Sequence, residues 1–176
     1  WAELPEGMNA LEALNRGFSG MGVPVFISPG NHDFYGPDSP WDRMIWPENV
    51  YIFTKPAMTS RVLPELDCRI YGAGFSSMDC PPLLTHFQPQ AEEAYTVGVF
   101  HGDPVTLRSP YNPVSASQIR ESGLTYLALG HIHKGDSFRA GQTLCVWPGC
   151  PMGRGFDETG VKGVLVVELE DTVSAR

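Results

Sequence analysis

Leu124-Thr125-Tyr126-Leu127-Ala128-Leu129, an apolar run that stops at Gly130-His131-Ile132-His133, decides how this chain is read. The run has the length and composition of a buried strand, and the glycine at its end permits a sharp exit. His131 and His133 are two residues apart, a spacing that in extended chain sends both side chains to the same side. Two imidazoles so placed repel one another when both are protonated, and a metal ion resolves this by holding both neutral. Histidine is the usual ligand for borderline metals such as zinc, iron and manganese.

Two further apolar runs end the same way. Val23-Pro24-Val25-Phe26-Ile27 leads into Gly30-Asn31-His32-Asp33, and Thr96-Val97-Gly98-Val99-Phe100 leads into His101-Gly102-Asp103. Open α/β sheets bind their ligands at the carboxyl ends of strands, where all three loops fall. Asn31 offers a neutral amide oxygen as a metal ligand. His32, beside it, points elsewhere and suits a general acid toward a leaving group. Asp33 is placed to hydrogen-bond that imidazole, fix its tautomer and raise its pKa. A Gly-Asn-His-Asp on its own reads equally well as a turn; three such loops in one chain point to one site. Asp103 and Asp136 lie nearby in sequence and read as solvated turn residues rather than as orienting groups. His86 reads as surface.

The remainder fits a single α/β domain of 176 residues, with 42% hydrophobic content and many turns, given 19 Gly and 16 Pro. Apolar periodicity predicts a helix over 3–16, a short helix over 41–45 and a helical turn over 81–87. It also predicts a helix over 115–122, capped by Ser115 and stopped by Gly123. Strands are expected over 23–27, 50–53, 60–63, 69–73, 96–100, 124–129, 137–140, 143–147 and 161–170, the last ones forming an antiparallel end of a mixed sheet. No apolar run reaches the length of a membrane span, and Trp1 to Met8 has no signal-peptide character. Cys68, Cys80, Cys145 and Cys150 form no C-x-x-C pair, so reduced thiols in a cytoplasmic protein are expected. A net charge of −8 argues against a broad nucleic-acid footprint on this segment.

Taken together, Gly30-Asn31-His32-Asp33, the strand ending in His101-Gly102, and Gly130-His131-Ile132-His133 resemble the later motifs of the calcineurin-like metallophosphoesterase superfamily. Leu127 through Lys134, Pro148-Gly149, Gly153-Arg154-Gly155-Phe156-Asp157-Glu158 and the tail from Lys162 to Leu169 are similar to its SbcD-like DNA-repair exonuclease branch. The resemblance implies a four-layer α/β/β/α sandwich with mixed sheets and two divalent metal ions at the sheet edge. Manganese is the expected metal, with zinc or iron as alternatives. It implies that Asn31, His101 and His131 bind one metal, that His133 binds the other, that His32 is the catalytic histidine and that Asp33 is its partner. The implied activity is phosphodiester or exonucleolytic cleavage of DNA in repair by a two-metal-activated hydroxide, the metals lying about 3.5–4 Å apart. An ATPase partner subunit and a homodimer are also implied, without membrane association.

The family's earlier motifs, an Asp-x-His and a Gly-Asp-x-x-Asp that carry most of its carboxylate ligands, do not occur in these 176 residues. The expectation is therefore that the chain is the C-terminal portion of a catalytic core whose N-terminal part is missing, and that it is inactive alone. Two other readings compete. One is a phosphoesterase for nucleotides or other small phosphoesters, which the acidic charge favours. The other is a metal-free protein-binding module, against which the intact set of His and Asn argues.

Overall fold

The structure, a computed structural model, describes residues 5–90, 92–153, 155–170 and 172–176. Leu4, expected at the start of the first helix, and Arg154, in the Gly-Arg-Gly-Phe stretch, lie outside the described residues. The chain folds as an α/β structure around a six-stranded mixed sheet. In chain order the elements are α1 (Pro5–Ser19), β1 (Val25–Ile27), α2 (Pro40–Arg43), β2 (Val50–Ile52), β3 (Thr59–Leu63), β4 (Cys68–Gly72), β5 (Tyr95–His101), α3 (Ala116–Ser122), β6 (Tyr126–Gly130), β7 (Lys134–Ala140), β8 (Thr143–Gly149), β9 (Val167–Glu168) and β10 (Ser174–Ala175).

The large sheet runs β3-β4-β5-β6-β8-β7. Its centre, β4-β5-β6-β8, is parallel, and its two edges, β3 and β7, are antiparallel to their neighbours. The antiparallel end expected from the sequence is therefore the β7–β8 hairpin. Strands covered on both faces read as continuous apolar runs, and β6 and β8 do so here. Tyr126, Leu144 and Val146 enter one core cluster, while Leu127, Leu129, Cys145 and Trp147 enter the other. The helix α3 begins at Ser115 with a reciprocal capping box to Gln118 and ends at Gly123, which takes a left-handed conformation at φ +65°.

β1 and β2 form a separate parallel pair, not part of the large sheet. Phe53 ties this pair to β4. It is 1% exposed and packs against the rings of Phe26 and Tyr51. Glycine is required opposite it: a Cβ on Gly72 would lie 2.2 Å from the Phe53 ring, and one on Gly74 would lie 1.8 Å from the Phe53 carbonyl oxygen. Backbone bonds from Gly74 N–H to Lys55 O (2.9 Å) and from Phe75 N–H to Pro29 O (3.0 Å) complete the seam.

The tail departs from expectation. Of the strand expected over 161–170, only β9 forms, paired antiparallel with β10, which the sequence did not suggest. Val161 and Val164 are 102% and 83% exposed. β-branched residues favour a strand only where a partner edge accepts them, and here pairing begins at Val166, which exchanges both backbone hydrogen bonds with Arg176. All four cysteines are free thiols. Among the described residues, no helix is long and apolar enough to cross a membrane.

Phe53→Ala should cost about 3–5 kcal/mol of stability, measured by urea unfolding. Because Phe53 seats β1 on β4, the loop after β1 should also lose amide exchange protection, whereas the α3 region should keep it.

Candidate metal centre

β5 and β6 are parallel neighbours in a register that pairs His101 with Gly130. This sets His101 and His131 side by side at the carboxyl end of the sheet. The loop after β1 reaches the same place across the seam. Three polar atoms meet there. His101 Nε2 lies 2.8 Å from Asn31 Oδ1 and 3.1 Å from His131 Nδ1. Asn31 is 3% exposed.

The His101 imidazole occupies a fitted slot. A Cβ on Gly30 would stand 2.6 Å from its Nδ1, and one on Gly130 would stand 3.0 Å from the same atom. Phe75 closes the slot with an edge-on ring, its centroid 5.3 Å from that of His101. The sequence reading gave Gly130 the task of turning the chain; the structure assigns it differently. Gly130 leaves room for His101, and the unusual backbone falls on His131, at φ +108°. A non-glycine residue held there stores strain, which neighbouring contacts must offset.

Below the slot sits Asn112, fully buried at 0% exposure and φ +51°. Its Nδ2 donates to the His101 carbonyl (2.8 Å) and its Oδ1 accepts from Leu83 N–H (2.8 Å). Asp103 is also buried, at 5% exposure, which corrects its reading as a solvated turn residue. Its Oδ1 accepts from the N–H groups of Val105 (2.9 Å) and Thr106 (2.8 Å), and its Oδ2 lies 3.8 Å from His131 Nε2. Asp136 does match its solvated reading: it is exposed and, among the described residues, accepts only from Ser137 N–H, at 2.8 Å.

Electrostatics keep the cluster neutral. Burial first, then the neighbouring His131, His32 and His133, push the His101 imidazole down to about 4. Burial also lowers His131, helped by His133 and His32 and opposed by Asp103. Burial pushes the Asp103 carboxyl up, but the Thr106 and Val105 N–H donors, the Ser109 hydroxyl and His131 outweigh it, and the carboxyl ends below its ordinary value.

The other predicted residues sit around this centre rather than in it. His133 is exposed, and its Nδ1 contacts the Glu158 carboxylate, a partner the sequence gave no sign of. Nδ1 is thereby engaged, and Nε2 is the nitrogen left open. His133 and His131 line one cavity with His101. His32 is exposed at the same rim and makes no hydrogen bond among the described residues. Among the described residues, Asp33 makes no hydrogen bond to His32. Its Oδ1 accepts the Gly30 N–H at 2.8 Å, and burial raises its carboxyl above the ordinary value against that bond and the charge of His32. Its effect is to shape the turn that presents Asn31. His86 is exposed, as read from the sequence.

The donor atoms fit a divalent cation. Ligands about 2.1 Å from one ion and at right angles stand about 3.0 Å apart, close to the two spacings observed. The donor set is poor in charge, however. Among the described residues, no group of three or more His, Cys, Asp and Glu side chains could hold a metal ion. The three that converge are two imidazoles and an amide.

The chain is 30% identical over 157 residues to a Bacillus subtilis (strain 168) protein named as an uncharacterized metallophosphoesterase, YhaO. The likeness supports the metallophosphoesterase superfamily. The matched stretch is 84% of this chain and 37% of that relative, so the chain spans well under half of the relative's length. No family model matches the chain. The mixed sheet is consistent with a metallophosphoesterase-like fold.

Replacing Asp103 by Asn should weaken Mn²⁺ binding about tenfold or more, as loss of a group that orients a histidine ligand does. Gly30→Ala should do so by displacing the His101 ring. Paramagnetic broadening of histidine side-chain NMR signals during a Mn²⁺ titration measures both, with His101 and His131 broadening first in the parent chain.

Proposed function

We propose that this chain forms part of the catalytic core of a metal-dependent phosphoesterase that uses two divalent metal ions, and that its substrate is a phosphodiester, with DNA ends as the leading candidate. The convergence of Asn31 Oδ1, His101 Nε2 and His131 Nδ1 at 2.8 and 3.1 Å carries the reading. Asn31, His101 and His131 would hold one ion, and His133, through the nitrogen that Glu158 leaves open, would hold the other. Bound divalent ions supply charge neutralisation at the phosphate and an activated water. Manganese is the proposed metal.

The chain's own residues do the rest. Burial and like-charge neighbours disfavour protonation of His101 and His131, which leaves ring lone pairs for an ion to use. Glu158 bonds His133 Nδ1 and fixes that ring, and the Asp103 carboxylate lies 3.8 Å from His131 Nε2, an electrostatic neighbour on its far side. His32, exposed at the rim and bonded to nothing among the described residues, is free to give a proton to the leaving oxygen. An enzyme acting on nucleotides or other small phosphoesters is the second reading, favoured by the net charge of −8.

Four neutral ligands divided between two ions bind weakly, so the 176-residue chain by itself should turn over a generic phosphodiester poorly. Strong manganese-dependent turnover by the chain alone would overturn this. In the full-length protein, His32→Ala should lower kcat by about 10²–10⁴-fold with KM little changed. An unchanged kcat would remove His32 from the chemistry. Comparing linear DNA with small phosphodiesters separates the two substrate readings.

A further inference from the structure

The chain has three lysines, Lys55, Lys134 and Lys162, among 12 basic and 20 acidic residues. Two of the three, Lys134 and Lys162, line one open cleft of about 610 Å³ beside the metal cluster. His133 and Pro148 border both this cleft and the cavity that holds His101 and His131, so the two spaces adjoin. A volume of this order accommodates a nucleotide-sized group.

Lysines on an acidic protein usually find carboxylates. Neither of these does so among the described residues. Lys134 has no ion pair, and the Lys162 ammonium faces the Cys150 thiol at 3.3 Å. Two carboxylates, Asp157 and Glu158, line the same cleft, and neither pairs with these lysines among the described residues. Glu158 is engaged with His133. Asp157 Oδ1 sits close to the Gly155 backbone, 2.5 Å from where a Cβ there would stand. The Thr159 hydroxyl adds a hydrogen-bonding group to the lining. Lys134 is also held in place: it opens β7, pairs with Gly149, and its carbonyl accepts the Trp147 indole N–H at 3.0 Å.

We propose that this cleft binds a second anionic phosphate of the substrate, adjacent to the one that is cleaved, with Lys134 as its principal contact and Lys162 as its second. The site would therefore select substrates with at least two phosphates over isolated phosphodiesters. Such a group comes either from the next internucleotide linkage of an oligonucleotide or from a nucleoside polyphosphate. The proposal rests on the phosphoesterase reading for its substrate, but its binding chemistry can be tested apart from turnover.

In the full-length protein, Lys134→Ala should raise KM about tenfold for a short oligonucleotide or for a nucleoside triphosphate, whichever is the substrate. It should leave kcat, and both constants for bis(p-nitrophenyl) phosphate, near their parent values. Lys134→Arg should restore most of the loss. Independently of turnover, inorganic tripolyphosphate should shift the backbone amide signals of Lys134 and Lys162, with about tenfold weaker affinity in Lys134→Ala. A larger effect on the oligonucleotide assigns the cleft to a nucleic-acid strand, and a larger effect on the triphosphate assigns it to a polyphosphate. Equal loss on the single-phosphate substrate, or tripolyphosphate affinity indifferent to Lys134, would overturn the proposal. Lys134-dependent tripolyphosphate binding without turnover of any phosphoester would leave the cleft standing and remove the phosphoesterase reading instead.

Discussion

The His101 imidazole is the piece on which the rest of the site depends. It bridges two parts of the fold that share no strand: the β1–β2 pair, which delivers Gly30 and Asn31, and the large sheet, which delivers His101, Gly130 and His131. Its ring fills the gap between Gly30 and Gly130, and no side chain fits at either glycine without moving it. The Phe53 seam sets the relative height of the two parts, and Asn112 pins the His101 carbonyl from below. Each feature adds little alone. Together they confine the imidazole closely, the preorganisation that a binding site requires.

Charge is arranged to the same end. A buried cluster of imidazoles remains compact only while its members are neutral, and desolvation keeps His101 so. The carboxylates that are present stand behind the rings rather than in front of them. Asp103 lies on the far nitrogen of His131, and Glu158 on Nδ1 of His133. Negative charge thus lies on the far sides of the rings without entering the described donor set. That division accounts for an acidic chain with a donor cluster made of neutral groups.

Much of this was legible in the sequence because the strand-end loops carry local signals. The β6 run and its Gly-His-Ile-His exit, the β5 run and its His, and the Ser115 cap with its Gly123 stop all depend on residues within a few positions of one another. Glu158 depends on a contact 25 residues away, which no spacing encodes. Asp103 looked like a turn residue because it is one: its Oδ1 makes local bonds to Val105 and Thr106, and only the register of β5 with β6 brings its Oδ2 toward His131. Asp33 was assigned to the adjacent imidazole, yet the nearer backbone donor at Gly30 takes it. The valine-rich tail misled for the opposite reason: it has strand propensity, but pairing begins only at Val166.

The strain at His131 connects these observations. A φ of +108° is unfavourable for histidine and is not relieved by the glycine beside it, which takes an ordinary conformation. Gly130 serves the ring of His101, so the reversal of the chain has to occur one residue later. The reversal in turn starts β7 at Lys134, opposite Gly149, and so sets Lys134 at the mouth of the cleft. Only the four residues from His131 to Lys134 separate the imidazole cluster from a lysine of the cleft. The imidazole cluster and the lysine cleft are thus joined by a short segment whose first residue, His131, holds an unfavourable backbone conformation.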